Sequence, residues 1–215
     1  MVELTVEKVQ RTTGSTRANA ELFLPFLQGT CKAYDITTPR RVVGFLSQIG
    51  HESQNLTRVE ENLNYSVDGL LQTFGRHRIS EADARKYGAI KGVQKAQPKE
   101  IANRIYGGPW GLEHLGNRRD GDGWLYRGRA LKMVTGLYNY TRCSEALGEN
   151  FVDFPERLLL PVNAALASGW FWDTKKLNEL ADAGNVRGMT LVINGGVLGL
   201  DQRHALWETG LEVFA

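Results

Sequence analysis

Hydrophobic residues recur at intervals of three and four along most of the chain, whereas sustained alternation of polar and apolar residues is absent. These intervals are typical of amphipathic helices, so the pattern predicts a mainly α protein. One helix is expected to begin at Thr38 and Pro39, because Thr is a favourable N-cap and Pro fits the first helical turn. Further helices are predicted at 17–33, 66–73, 80–87, 98–106, 136–147, 160–173, 175–183 and 199–213.

A glycine-rich segment interrupts this pattern between Gly107 and Gly128. Seven of the chain's 24 glycines lie there, and glycine disfavours a continuing helix. The composition predicts a long ordered loop or a short irregular hairpin. Loops of this length in a compact domain are usually functional, so we expect the segment to contribute to a site.

The composition is that of a folded domain. The chain has 215 residues, of which 42% are hydrophobic and 23% charged, which excludes a disordered or collagen-like protein. The formal net charge of +2 argues against a dedicated nucleic-acid-binding protein, so no nucleic-acid partner is expected. Eight Lys or Arg and three Asp or Glu lie between Arg76 and Tyr106, and such a basic region indicates solvated helix faces more often than a polyanion site.

Cysteine usage and hydropathy indicate a protein made in the cytosol. Cys31 and Cys143 are too few for a disulfide framework, which favours a reducing compartment. No stretch approaches the roughly 20 apolar residues that span a bilayer, and the first 15 residues lack the apolar core of a secretory signal. The chain contains no HExxH or CxxC motif, so neither a metal nor another cofactor is expected.

One carboxylate falls on the apolar side of the helix that begins at Pro39. Val42, Phe45 and Ile49 form a stripe, and three residues further on the same stripe reaches Glu52. No Lys or Arg lies within a helical turn of this glutamate, and the helix C-terminus disfavours its negative charge. Burial and dipole would both favour the protonated form, which a proton donor needs. The alternative is a partly exposed Glu at a frayed helix end.

Glu60 and Glu61 follow in the segment VEENLNYS, whose Asn and Ser residues indicate a passage from helix to loop. A second carboxylate here could face the first across a cleft. Hydrolysis of a glycosidic bond with inversion uses such a pair, an acid for the leaving oxygen and a base for water, about 6.5–9.5 Å apart. Spacing in the sequence does not give this distance, and an exposed surface charge is the alternative for either Glu.

Two further segments carry groups that suit sugars, which offer apolar ring faces and many hydroxyls. Asn194 precedes two glycines in VINGG, which predicts a tight turn where the backbone can approach a ligand. The other segment, residues 126–140, combines Arg127, Arg129, Thr135, Tyr138, Asn139 and Tyr140. Taken singly, each of the two segments could also be explained by packing or turn chemistry.

Six motifs occur together and in order along the chain. Together they resemble glycoside hydrolase family 19, and within it the phage-type endolysins rather than the plant chitinases. The likeness covers 38–215, and 1–37 looks like the helical lead-in of those endolysins. It implies a single catalytic domain, 1–215, with a mainly α, lysozyme-like fold of two lobes and a central substrate cleft. The motifs are IGHES (49–53), ENLNYS (61–66), GDGWLYRGR (121–129), TGLYNY (135–140), GWFW (169–172) and INGG (193–196).

The resemblance implies a role for each matching residue. Glu52 would be the general acid and Glu61 the general base, with Thr135 helping Glu61 to hold the attacking water. Desolvation would keep Glu52 protonated, and solvent would keep Glu61 ionised. Asn139 and Asn194 match sugar-contacting amides, and Arg203 matches an Arg that holds the carboxylate network. The implied substrate-binding set is Tyr138, Asn139, Asn194 and Arg203.

One strip departs from the family pattern. Where the family commonly reads GRGLIQLTG, this chain reads GRALKMVTG. Ala130 therefore replaces a Gly, and Met133 replaces a Gln that usually contacts substrate. The two carboxylates and Thr135 are retained, which favours an enzyme.

The expected function is hydrolysis of β-1,4 glycosidic bonds in bacterial peptidoglycan, for lysis of a host cell. The resemblance implies a monomer that accumulates in the host bacterial cytoplasm and reaches the wall through a holin. A chitinase would share the site and differ in substrate. A non-catalytic wall-binding module is a further alternative, which the altered strip permits.

Overall fold

The computed structural model describes residues 2–215, and within that range it contains thirteen α-helices, one 3-10 helix and no strand. The predicted mainly α class is therefore confirmed. The α-helices are α1 Val6–Thr13, α2 Arg17–Ala33, α3 Pro39–Glu52, α4 Val67–Thr73, α5 Glu81–Tyr87, α6 Pro98–Ile105, α7 Gly108–Leu115, α8 Asp122–Leu125, α9 Leu137–Leu147, α10 Pro161–Thr174, α11 Leu177–Asp182, α12 Val186–Asn194 and α13 Leu200–Phe214, and the 3-10 helix is Pro155–Leu159.

The chain forms two compact units, and each draws on more than one segment. Unit 1 consists of residues 2–59, 129–133 and 157–215. Unit 2 consists of residues 60–128 and 134–156. Helices α1 and α2, which lie in the predicted lead-in 1–37, pack within unit 1 against α3, α10 and α13.

Helix α3 is the centre of unit 1. Every residue from Val42 to Gly50 is buried, so the helix is enclosed on all sides and not along the predicted stripe alone. Trp172 packs its ring edge-on against Phe45, with 5.5 Å between the ring centroids. The enclosure fixes α3 firmly and thereby fixes Glu52, the last residue of the helix.

Unit 2 is built around its own apolar core. Residues from the loop before α4, from α4 to α6 and from the turns between them form this core, and the half-buried Tyr65, Tyr106 and Trp124 pack against it. It supports the loop before α4, which carries Glu61. The core consists of Leu63, Val67, Leu70, Phe74, Ile79, Ala84, Tyr87, Ile101, Ala102 and Ile105.

The predicted start of α3 is confirmed, whereas α1, α7, α8 and α12 were not predicted. Thr38 caps α3 by accepting a hydrogen bond from the Arg41 N–H at 3.3 Å, and Pro39 opens the helix, as predicted. The prediction of a loop or hairpin for 107–128 was wrong, because this segment contains α7 and α8. Gly116 ends α7 in the left-handed conformation (φ 70°), which glycine adopts without strain.

No helix in the described range is both long enough and sufficiently apolar to cross a bilayer.

Candidate active site

Helix α3 ends at Glu52, and an unusual turn follows it. Gln54, Asn55 and Leu56 all have left-handed backbone conformations, with φ of 49°, 61° and 58°. Such conformations are costly for residues with a Cβ and often mark functional sites. The buried Ser53 hydroxyl stabilises the turn by donating to the Ile49 carbonyl and accepting from the Leu56 N–H.

The carboxylate of Glu52 lies beside two cations. The Arg203 guanidinium donates to Glu52 Oε1, and Lys132 Nζ lies 3.7 Å from Glu52 Oε2. Arg203 is buried and also donates to Gln48 Oε1. No Lys or Arg lies within a helical turn of Glu52, as the sequence shows, and both cations come from segments far from α3 in sequence.

The strip Arg129–Met133 brings Lys132 to this site. Ala130 and Met133 have φ of 75° and 55°, so the strip turns through two left-handed residues. Glycine would adopt the first of these without strain, which accounts for the Gly in the family pattern at the position of Ala130. The Lys132 N–H donates to Ser168 Oγ at 3.1 Å, which anchors the strip to α10.

Glu61 is held by three hydrogen bonds within unit 2. Its Oε2 accepts from the Tyr106 hydroxyl at 2.7 Å, and its Oε1 accepts from the Gly128 N–H. Its own N–H donates to the Gly128 carbonyl at 3.0 Å. Burial raises the pKa of Glu61, while the Tyr106 and Gly128 hydrogen bonds and the charge of Arg127 oppose that rise. The prediction that solvent keeps Glu61 ionised was wrong, since Glu61 is largely enclosed and specific donors hold its carboxylate.

Thr135 lies beside Glu61 at Gly128. A methyl group added to Gly128 would lie 3.2 Å from Thr135 Oγ1 and 3.3 Å from Glu61 Oε1, so it would crowd both groups. The neighbouring Glu60 pairs with Arg127 at 2.6 Å. The hydroxyl and the carboxylate that the resemblance assigns to the attacking water are therefore close together.

The four residues of the implied substrate-binding set differ in exposure. Tyr138 is 56% exposed on α9, and the neighbouring Asn139 donates to the Thr135 carbonyl at 2.8 Å. Asn194 is exposed as the last residue of α12, with Gly195 in the left-handed conformation that ends the helix. Arg203 is buried on Glu52 and Gln48, so it is placed to hold the carboxylate.

Glu52, Asn194 and Arg203 belong to unit 1, whereas Glu61, Thr135, Tyr138 and Asn139 belong to unit 2. Within the described range, no three His, Cys, Asp or Glu side chains are grouped so that they could bind a metal ion.

Sequence reasoning missed Lys132 and Tyr106. Lys132 carries a visible signal, since it places a charge where the family pattern GRGLIQLTG has Ile. Tyr106 carries none, because its partner Glu61 lies 45 residues away and no local pattern links the two.

The comparisons with known proteins support the fold and the family. The chain is 41% identical over 166 residues to a protein of Haemophilus influenzae named "Glycosyl hydrolase family 19 domain-containing protein". The matched residues cover 76% of this chain and 75% of that protein. The crystal structure of chitinase C from Streptomyces griseus HUT6037 matches with a TM-score of 0.58 at 16% identity, covering 98% of this chain and 76% of that one. At that identity the match shows the fold alone. The chain matches no family model.

Proposed function

The chain belongs to glycosyl hydrolase family 19, and from that premise we propose that it is an endolysin that cleaves β-1,4 bonds of bacterial peptidoglycan with inversion. The family membership makes it a glycoside hydrolase acting on glycans. The observation that carries the proposed mechanism is the setting of Glu61, whose carboxylate lies beside the Thr135 hydroxyl at Gly128.

In the proposed reaction, Glu52 gives its proton to the glycosidic oxygen as the bond from the anomeric carbon to that oxygen breaks. A water held by Glu61 and Thr135 attacks the anomeric carbon from the opposite face and passes a proton to Glu61. The Tyr106 hydroxyl and the Gly128 N–H orient the Glu61 carboxylate for this step. Asn139, Asn194 and the exposed Tyr138 are proposed to contact sugar rings.

Peptidoglycan is proposed as the substrate, rather than chitin, on two grounds. The sequence motifs resemble phage-type endolysins, and the chain lacks the disulfides of secreted plant chitinases, since Cys31 and Cys143 are free and buried. Release through a holin and accumulation in a host cytoplasm belong to the same proposal.

The test is digestion of purified peptidoglycan by wild type and Glu52→Gln, with mass spectrometry of the released fragments. Wild type should release disaccharide fragments with reducing ends, and their first-formed anomer, read by NMR, should be inverted. Glu52→Gln should reduce the rate about 10²–10⁴-fold, because it removes the transferable proton and keeps the shape. The exposed Glu208→Gln on α13 is the matched control and should retain the rate.

Each other result would contradict part of the proposal. Anhydro-sugar fragments would indicate a lytic transglycosylase, which needs no activated water. Faster cleavage of chitin oligosaccharides than of peptidoglycan would indicate a chitinase. Binding to the wall without cleavage by either protein would indicate a wall-binding module.

A further inference from the structure

Lys132 places an ammonium group beside the proposed acid. Its Nζ lies 3.7 Å from Glu52 Oε2, and the side chain is only 13% exposed. The same atom lies 4.6 Å from the centre of the Phe171 ring. A cation enclosed in this way has lost most of its hydration, which is unfavourable unless an anion or a ring face compensates it. Glu52 and Phe171 provide that compensation.

Neutralising Glu52 does not require this lysine. Arg203 already donates to the Glu52 carboxylate from a fully buried position. With Lys132 added, two positive charges lie against one negative charge. A nearby positive charge favours the ionised form of a carboxylic acid over its protonated form, and a general acid acts from the protonated form.

We infer that Lys132 is a positioning residue that sets the pH range in which Glu52 can donate its proton. This inference rests on the proposed function, in which Glu52 is the acid. By stabilising the carboxylate, Lys132 confines proton donation to more acidic solution than an apolar side chain at the same position would. The Ile of the family pattern GRGLIQLTG is such a side chain.

The other charged groups around the pair come from three helices. Arg203 on α13 stays charged at any working pH. Burial lowers the pKa of Lys132. The charges of Arg203 and of Lys175, at the end of α10, lower the same pKa further, whereas Glu52 opposes the change. Burial also lowers the pKa of His51 on α3, whose Nδ1 lies 2.8 Å from Gln202 Oε1. Lys132 is therefore the titratable cation in contact with Glu52.

The test compares a variant that removes the charge with one that keeps it. Lys132→Met removes the charge at similar length, Lys132→Gln is a second neutral variant should the first fail to fold, and Lys132→Arg retains the charge. The first readout is the pH profile of kcat/KM on soluble glycan fragments. The second is the ¹³C NMR titration of the Glu52 carboxyl, identified by its absence in Glu52→Gln, which needs no activity.

In Lys132→Met, both the alkaline limb of the pH profile and the Glu52 titration midpoint should move to higher pH. The expected shift is about 1 pH unit, the effect of one charge at this distance even with screening close to that of water. Lys132→Arg should restore both values to within a few tenths of a unit. A merely structural lysine would change the rate or the stability without moving either value.

An unchanged Glu52 midpoint in the folded neutral variants would overturn the inference, whatever the activity. If the midpoint moves and wild type cleaves no glycan, the proposed function fails while the effect of Lys132 on Glu52 stands. A midpoint that moves to lower pH would also overturn the inference.

Discussion

Glu61 combines burial with specific hydrogen-bond donors. Burial raises the pKa of its carboxyl group, so the folded chain binds a proton there more tightly than the unfolded chain does. The cost of burying the charge is therefore absent at low pH, where the group is protonated in both states. This cost grows as the pH rises from 4.5, the ordinary pKa of the carboxyl group, through the higher pKa that the group has in the folded protein.

This linkage predicts that Glu61→Gln gains stability relative to wild type as the pH rises. The amide keeps the size of the side chain and cannot ionise, so it does not incur the growing cost. Melting temperatures of both proteins should be measured at about pH 4 and pH 7, and the variant minus wild-type difference should be larger at pH 7. The exposed Glu113→Gln in unit 2 should show no such dependence. An equal difference at both pH values would mean that the hydrogen bonds cancel the effect of burial, and a smaller difference at pH 7 would mean that they outweigh it.

The sequence predicted the two glutamates as site residues, and the family resemblance implied Arg203 beside them, but neither indicated Lys132 or Tyr106. Glu52 stood out because it continued an apolar stripe, and Glu61 because it matched a family motif. The partner of Glu52 is Arg203, which lies 151 residues away, and helical spacing describes only neighbours on one helix. The prediction that solvent keeps Glu61 ionised failed because its carboxylate is held by Tyr106 and Gly128, which are 45 and 67 residues away.

Among the helices, α3 shows how closely unit 1 is packed around the segment that carries Glu52. Gly50, two residues before the end of α3, lies against the backbone of α1. A Cβ at Gly50 would lie 2.8 Å from the Thr13 carbonyl oxygen and 2.9 Å from the Thr13 Cα. Backbone atoms cannot move aside as a side chain can, so α1 would have to shift.

Gly50→Ala should therefore destabilise the protein by about 1–3 kcal/mol, the usual cost of overpacking. Gly29→Ala is the matched control, since Gly29 lies exposed within α2 and a Cβ there would meet nothing within 4 Å. That variant should stabilise the protein by about 0.5–1 kcal/mol through the higher helix propensity of Ala. Urea unfolding followed by circular dichroism measures both, and equal effects would show that α1 yields to the added methyl group.

The element predictions succeeded or failed for identifiable reasons. The start of α3 was predicted because Thr38 and Pro39 are local signals that no distant contact changes. Helix α7 was missed because its glycines were counted as breakers, whereas Gly108 and Gly116 lie at its start and beyond its end. Gly111 lies inside the helix, where a Cβ would come within 2.0 Å of the Tyr106 carbonyl oxygen. The chain turn just before α7 therefore leaves room only for glycine at that position.

At the scale of the whole molecule, each unit contains one buried thiol. Cys31 lies in α2 of unit 1, and Cys143 lies in α9 of unit 2. Burial raises the pKa of each thiol to about 12. Almost no thiolate is then present near neutral pH, and the thiolate is the reactive form.

Both cysteines should resist alkylation in the native protein. At about pH 8 in iodoacetamide, we expect each to react about 10³-fold more slowly than an unfolded cysteine peptide. Peptide mass spectrometry assigns the modification to Cys31 or Cys143, and Cys31→Ser and Cys143→Ser verify the assignment. Fast reaction of either residue in the native protein would show that its unit opens readily.

The chain passes from one unit to the other after Val59, Gly128, Met133 and Glu156. No uninterrupted stretch of a gene therefore encodes one whole unit without part of the other. A nonsense codon between those for Glu52 and Arg203 would yield a product whose Glu52 lacks its buried partner, even though the codon for Glu52 had been read. A shuffled or fused gene that keeps unit 1 whole must likewise carry all of unit 2, so recombination would transmit the two units together.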